Sequence, residues 1–425
     1  MVFDKAAIEE RQRRAAGAFG DDAPLVLVSA GEPIGKPGGL DQTYPFLVHP
    51  DYYWLTGSRR SGGILAFEPG GGWTHFVRKV DASERLWEGD VVAPEGEDLT
   101  SFAEWLEARR GRPLAALGSS GMLPLPADEA LSKRMRERLD GVRRRKDAAE
   151  IALIRRAVAA TAAGFAKARE VLRPGVTERQ LQVELEAEMF RAGAHGVGFE
   201  TIVGAGDHSA VLHFAPGERV VNPGDLVLID AGGELEDYTA DVTRTVPAGE
   251  RFTPEQQALY DLVLAAELAA IDKCRVGVEW HEVHRTAALV IAQGLKDLGV
   301  LVGDADGLAD SGAVALFFPH GVGHMVGLRV RDVGGAAPGR PEGRMCCGAR
   351  PRVDFPLEEG FLMTVEPGAY FIPAMLEDPE RREKYKDVVR WDALDKWLPV
   401  GGVRIEDDVL VTASGPEVLT SAIPK

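Results

Sequence analysis

Five side chains able to ligate a metal fall in four short motifs in the second half of this 425-residue chain, two across a glycine-containing turn and three in clusters with glycine or proline. Asp230 and Asp241 lie in DLVLIDAGGELEDYTADVTRT (225–245), His324 in PHGVGHMVGL (319–328), Glu366 in TVEPG (364–368) and Glu406 in GGVRIED (401–407). Singly, each has a plain alternative: a solvated carboxylate at a strand end, or a structural histidine in a glycine-rich loop. Gathered in one cleft, four carboxylates would be prohibitively charged, because an unpaired buried charge is very costly. Two divalent cations cancel that charge, and such a pair, about 3.5–4 Å apart, activates water at neutral pH. A mostly oxygen set with one imidazole suits manganese, or cobalt, with zinc also compatible and iron left open.

Convergence of these side chains requires a scaffold. Leu226 to Ile229 reads as a strand, Ala231-Gly232-Gly233 breaks it, and Tyr238 to Thr245 reads as its antiparallel partner. With a tip near Leu235-Glu236, Asp230 and Asp241 fall opposite one another, Cβ atoms about 4.5–5.5 Å apart. Around the hairpin, Asp147 with Glu150 and Thr177 with Gln180 mark two helix starts, Pro174-Gly175 and Gly193 two helix stops. Thr253-Pro254 opens a third helix, and a fourth runs from about Trp280 to Leu298. The links RPGVT (173–177) and RVGVE (275–279) are alike at an offset of 102 residues, which suggests two related halves, each with two helices over strands. Sites commonly form where such halves meet.

Upstream, a helix over 5–18, strands at 24–30, 63–67 and 114–117, an aromatic-rich segment at 51–57 and a helix over 101–110 fit an α/β layer. No catalytic motif precedes residue 145. The basic run at 141–147 marks the boundary, read as a linker and salt-bridged surface, so domains are expected at 1–145 and 146–425. A net charge of −17 argues against nucleic acid or an anionic membrane and for a small-molecule partner. Three cysteines make no disulfide framework, and adjacent Cys346 and Cys347 read as loop thiols because neighbours rarely reach disulfide geometry. His281 and His284 are expected to face solvent, and Trp391 and Trp397 to pack a loop roofing the cleft. The sparse cysteines fit a reducing cytoplasm, and with neither a signal peptide nor an apolar run of ~20 residues an intracellular enzyme or binding protein is expected.

In order, spacing and flanking residues, the four motifs resemble the metal-dependent prolidase and Xaa-Pro aminopeptidase family over most of 146–425. The resemblance implies an α+β fold: a pseudo-symmetric "pita-bread" catalytic domain holding two divalent metals, preceded by a smaller α/β domain, in a homodimer. It implies Asp230, Asp241, His324, Glu366 and Glu406 as ligands, with Asp241 and Glu406 bridging and Glu366 also relaying a proton. His213 and His320 would contact the peptide substrate or its oxyanion, Arg404 would orient a carboxylate ligand, and Arg352 would hold a substrate carboxylate. The segment from EPGAYF to GGVR most resembles prolidases, so an Xaa-Pro dipeptidase is the first expectation and an aminopeptidase on longer peptides the alternative. Metal-free hydrolases and peptide binders of the same fold are a further reading, but they have typically lost the carboxylates intact here. Three departures stand out: Arg331 for a usual histidine, Phe199 for a frequent tyrosine and His208 for a frequent asparagine. Arg331 and Phe199 are therefore expected to shape substrate binding.

Overall fold

A computed structural model describes residues 2–119, 123 and 127–425. Contacts divide the chain into two compact units, Met1–Arg143 and Arg144–Lys425. In the first, strands β1 (Leu25–Ser29), β2 (Ile64–Glu68), β3 (Gly72–Val77), β4 (Glu97–Asp98) and β5 (Leu114–Gly118) form one sheet in the order β4-β3-β2-β1-β5. Helices α1 (Lys5–Phe19), α2 (Pro50–Thr56), α3 (Ala82–Glu88) and α4 (Phe102–Glu107) accompany it. The aromatic-rich segment is α2, whose Tyr52, Tyr53 and Trp54 are fully buried.

Helix α5 (Glu129–Arg144) corrects the reading of the basic run, most of which continues this helix instead of forming a linker. Two of its charges are also buried and not on the surface. Arg143 is held on Asp51 at 2.5 Å, and Lys146 on Asp332 at 2.7 Å. Each buried cation is thus met by a carboxylate, without which burial would be strongly unfavourable.

The second unit is built twice over. Helices α6 (Ala148–Val171) and α7 (Glu178–Arg191) open with the capping boxes Asp147/Glu150 and Thr177/Gln180, and α8 (Pro254–Lys273) with Thr253/Gln256; α9 (Trp280–Asp297) completes the second pair. Small strands β6 (Gly196–Val197), β9 (Gly233–Leu235) and β10 (Tyr238–Thr239) pair among themselves. The first half's main sheet is β7 (Ile202–Ala205), β8 (Leu226–Ala231) and β11 (Val242–Pro247), in the order β11-β8-β7. After the short parallel pair β12 (Gly335–Ala336) and β13 (Val353–Asp354), the second half presents β14 (Leu362–Val365), β17 (Asp407–Thr412) and β18 (Gly415–Val418) in the order β14-β17-β18. Strands β15 (Gly368–Tyr370) and β16 (Gly402–Arg404) pair beside it.

The repeat seen at the interhelical links extends into hydrogen bonding. Gly175 N–H donates to Val221 O at 2.9 Å, and Gly277 N–H to Leu357 O at 2.8 Å, both glycines having positive φ. The shift of 136 residues that carries Val221 to Leu357 also carries Leu226, the start of β8, to Leu362, the start of β14. It carries Asp230 to Glu366 as well. A shift of 165 carries β11 onto β17, and with it Asp241 onto Glu406. All four carboxylates are therefore two pairs of equivalent positions.

The hairpin differs from expectation in one respect. Asp230 pairs with Thr243, not Asp241, because the tip is Glu236-Asp237, one residue later than expected. Both tip residues have positive φ, 56° and 66°, as in the primed turns that suit strand twist. Asn or Gly usually marks such turns, so Glu-Asp gave little signal. Moving the tip by one residue shifts the pairing by two, which preserves the face. The two aspartates are diagonal neighbours on one side of the ladder and can still face one cation.

No helix among the described residues is long and apolar enough to cross a membrane. At Gly232, between the aspartates, an added Cβ would sit 1.7 Å from the Ala240 carbonyl oxygen, whereas at Gly249 it meets nothing within 4 Å. Gly232→Ala should therefore lower stability to chemical denaturation by at least about 1–3 kcal/mol, the usual cost of overpacking. Gly249→Ala should leave the midpoint nearly unchanged.

Candidate metal centre

A cavity of about 840 Å³ in the second unit is lined by all five candidate ligands together with Phe199, His213, His320, Arg331, Arg352 and Arg404. β8 delivers Asp230 at its penultimate position, β14 delivers Glu366 just past its end, and Asp241 and Glu406 immediately precede β11 and β17. His324 lies in the glycine loop, whose close approach to β14 has a steric basis. An added Cβ at Gly323 would stand 2.0 Å from Thr364 O. The loop is pinned by Thr364 N–H to His324 O at 2.8 Å and His324 N–H to Thr364 Oγ1 at 3.0 Å.

The polar groups around these carboxylates leave ligand atoms bare. Arg404 Nη2 donates to Asp230 Oδ2 at 2.7 Å, while the buried Oδ1 has no hydrogen-bond partner. Glu406 Oε2 accepts from Thr243 Oγ1 at 2.7 Å. His324 Nδ1 lies 3.0 Å from Met325 O, so that nitrogen carries the proton and Nε2 is an acceptor. Nε2 nevertheless faces Asp241 Oδ2 at 3.5 Å and Glu366 Oε1 at 3.6 Å. Acceptors turned towards one another need a cation between them. Ligand atoms of Asp241, His324 and Glu406 all fall within 4.8 Å of each other, so the residues present fit divalent metal ions.

Electrostatics agree with the geometry. Burial, reinforced by Asp230, pushes the Asp241 carboxyl well above its ordinary range. Burial followed by Asp241, Glu366 and Asp230 does the same to Glu406. Glu366 is raised by burial and partly restored by His324.

The two other histidines differ in freedom. His320 Nδ1 faces Gly321 O at 2.9 Å, which leaves Nε2 to accept from the Tyr370 hydroxyl at 2.9 Å. Arg404 Nη1 donates to that same hydroxyl oxygen at 3.1 Å, closing a chain Asp230–Arg404–Tyr370–His320. Burial holds His320 neutral, its pKa pushed down to about 3. His213 instead is exposed to the cavity, and among the described residues its side chain makes no hydrogen bond or ion pair. The Arg331 and Arg352 guanidiniums are likewise unpaired among the described residues, and partial burial with the Arg331 charge pushes the Arg352 pKa down.

Sequence reasoning missed Tyr370, Thr243 and Asp408, whose carboxylate accepts from Asp241 N–H at 3.1 Å. Tyr370 and Thr243 lay inside quoted motifs and Asp408 directly after one, but only the fold reveals the contacts. His208 does not line the cavity; it bonds buried Glu178 at 2.8 Å and packs on Phe214, which does line it. Trp391 and Trp397 do not roof it either, since Trp397 stacks on Phe371 within the core and Trp391 lies under Arg382. His284, expected at the surface, is fully buried, and His281 is largely covered, because that face of α9 packs inward.

Raised carboxylate pKa values mean that the folded, metal-free protein holds protons that the unfolded chain releases. That stabilisation is complete below the ordinary carboxylate pKa, about 4, and is lost as pH rises towards the raised values. Chelator-treated protein should therefore lose stability as pH rises from about 4. Asp241→Asn should flatten that slope while making the metal-loaded protein less stable, both read from thermal midpoints.

Comparison with known proteins follows the same division of the chain. Residues 152–413 match the model of metallopeptidase family M24, and residues 8–104 that of the aminopeptidase P N-terminal domain. A probable Xaa-Pro aminopeptidase of Botryotinia fuckeliana is 31% identical over 397 residues, covering 90% of this chain and 86% of the relative. Pseudomonas aeruginosa aminopeptidase PepP superposes with a TM-score of 0.80 at 30% identity, covering 100% of this chain and 97% of its own. Zinc-substituted E. coli aminopeptidase P in complex with product does so with a TM-score of 0.79 at 28% identity, covering 98% and 96%. With the family model spanning more than half of its length and Asp241, His324 and Glu406 placed so that they could hold a metal ion, the chain belongs to metallopeptidase family M24.

Proposed function

We propose that this metallopeptidase is an Xaa-Pro aminopeptidase, removing the residue before proline from peptides longer than two residues. The observation that carries the reading is the likeness along the whole chain, N-terminal unit included, to proteins named Xaa-Pro aminopeptidase or aminopeptidase P. The cavity supports it, continuing from the carboxylates past Phe199 and Phe214 to Arg179, Gln182 and Glu186 on α7, which leaves room beyond a proline. The expected dipeptidase is the second reading. It is favoured by the unpaired Arg331 and Arg352, either of which could grip a carboxylate through a guanidinium fork.

Two divalent cations on Asp230, Asp241, His324, Glu366 and Glu406, manganese first and cobalt or zinc next, would supply water activation and carbonyl polarisation when bound. Glu366, partly open to the cavity, takes the proton from the attacking water and delivers it to the departing prolyl nitrogen. His213 donates a hydrogen bond to the oxygen that gains charge, being the free imidazole facing the cavity. His320 also lines the cavity, and with Nε2 engaged it fixes Tyr370, and through it Arg404 and Asp230. Phe199 offers an apolar wall to the substrate. A homodimer remains the expectation, and the exposed Ile34, Leu40, Leu47 and Trp87 of the N-terminal unit are apolar side chains that a second copy could cover. A cytoplasmic setting remains the reading from composition.

Metal-reconstituted protein assayed on Ala-Pro and Ala-Pro-Ala should show the higher kcat/KM on the tripeptide; cleavage of the dipeptide alone would establish the second reading. Arg331→His should raise KM at least about tenfold for the peptide whose carboxylate it reaches, as expected for one charged hydrogen bond, with kcat little changed. Unchanged KM on both peptides would remove Arg331 from substrate binding.

A further inference from the structure

We propose that Cys346 and Cys347 form a preorganised dithiol chelate for a thiophilic divalent cation of the zinc–cadmium class, separate from the carboxylate centre. Adjacent side chains normally diverge, and a specific backbone brings these two together. Cys346 N–H donates to Ala349 O and Ala349 N–H to Cys346 O, both at 2.9 Å, closing a two-residue turn. Cys347 and Gly348 at its centre have φ of 51° and 82°. Such a turn normally takes Asn, Asp or Gly at the position Cys347 occupies, and a non-glycine residue with positive φ is uncommon.

Packing holds the turn in this shape. A Cβ at Gly348 would meet Gly312 Cα at 2.8 Å and Ala315 Cβ at 2.9 Å, so backbone lies directly on backbone. The two Sγ atoms stand 3.8 Å apart. Two thiolates bound at about 2.3 Å to one tetrahedral ion are separated by about 3.8 Å, whereas a disulfide requires about 2.05 Å. The turn is thus spaced for chelation and not for oxidation in place.

Its surroundings suit one thiolate before the ion arrives. The Cys346 thiol and the Arg285 guanidinium hold Cys347 down at about 7, while the same pairing, with burial, pushes Cys346 up, so the second proton leaves as the ion binds. The charge of Arg285 is met by Asp306 at 2.7 Å and Asp310 at 2.6 Å. Cys347 is 9% exposed and Cys346 half-buried, so an ion arrives on the Cys346 side and solvent completes its shell. His284 is close enough to be a third ligand, but Val322 N–H donates to its Nδ1 at 3.1 Å and its Nε2 faces Cys346 O at 3.2 Å. Both nitrogens are committed, and His284 holds the turn instead of ligating.

Cadmium titration of the manganese-loaded full chain, followed by thiolate-to-cadmium charge-transfer absorption, tests this directly, because the carboxylate centre contains no sulfur and is silent. A band saturating at one cadmium per chain is expected, lost in Cys346→Ser and retained in Cys274→Ser. In the unaltered protein cadmium should also protect Cys346 and Cys347 together from alkylation, read by peptide mass spectrometry, so the result does not depend on a variant folding. Absence of the band, its survival in Cys346→Ser, its loss in Cys274→Ser, or saturation at one cadmium per two chains would each overturn the proposal.

Discussion

Mutual repulsion among Asp230, Asp241, Glu366 and Glu406 is the constraint that the second unit obeys. A buried, unpaired charge is costly, and here burial and neighbouring carboxylates push Asp241 and Glu406 upward together. Protein groups answer only part of that charge. Arg404 takes one oxygen of Asp230, Thr243 takes one of Glu406, and the remaining atoms face each other and His324 Nε2. Further out, buried Arg244 binds Asp407 at 2.7 Å and the Glu406 carbonyl at 2.6 Å, which fixes the backbone carrying that carboxylate. The fold supplies a frame for cations and leaves the neutralisation to them.

Duplication explains how one cavity comes to hold so many acids. Asp230 and Glu366 occupy one strand position in the two halves, and Asp241 and Glu406 another. The halves join through the same residues, since Glu406 N–H donates to Thr243 O at 3.1 Å while Thr243 Oγ1 donates to the Glu406 carboxylate. Site and seam between halves are one structure. His324 and Arg404 have no such counterpart among the ligands and break the symmetry, giving one side of the cavity an imidazole and the other a guanidinium.

Much of this could be read from sequence where local chemistry is decisive. The capping residues Asp147, Thr177 and Thr253 announced their helices, and glycine or proline in the clusters around His324, Glu366 and Glu406 marked those candidate ligands. The hairpin tip was misread because Glu236-Asp237 adopts a backbone that those residues seldom signal. Burial of His284 and the Tyr370–His320–Arg404 chain depend on residues 38, 50 and 34 positions apart in sequence meeting in space, which no spacing rule encodes. Arg331 was visible as a departure from the family pattern, and its lack of a partner became visible only with the cavity around it.

The most direct measurement is manganese titration of metal-stripped protein followed by electron paramagnetic resonance. If the four carboxylates and His324 form one dinuclear cage, two equivalents bind and give the signal of a spin-coupled pair, which disappears in Asp241→Asn. Binding of a single equivalent, or of two that give only the signal of isolated ions, would contradict the account.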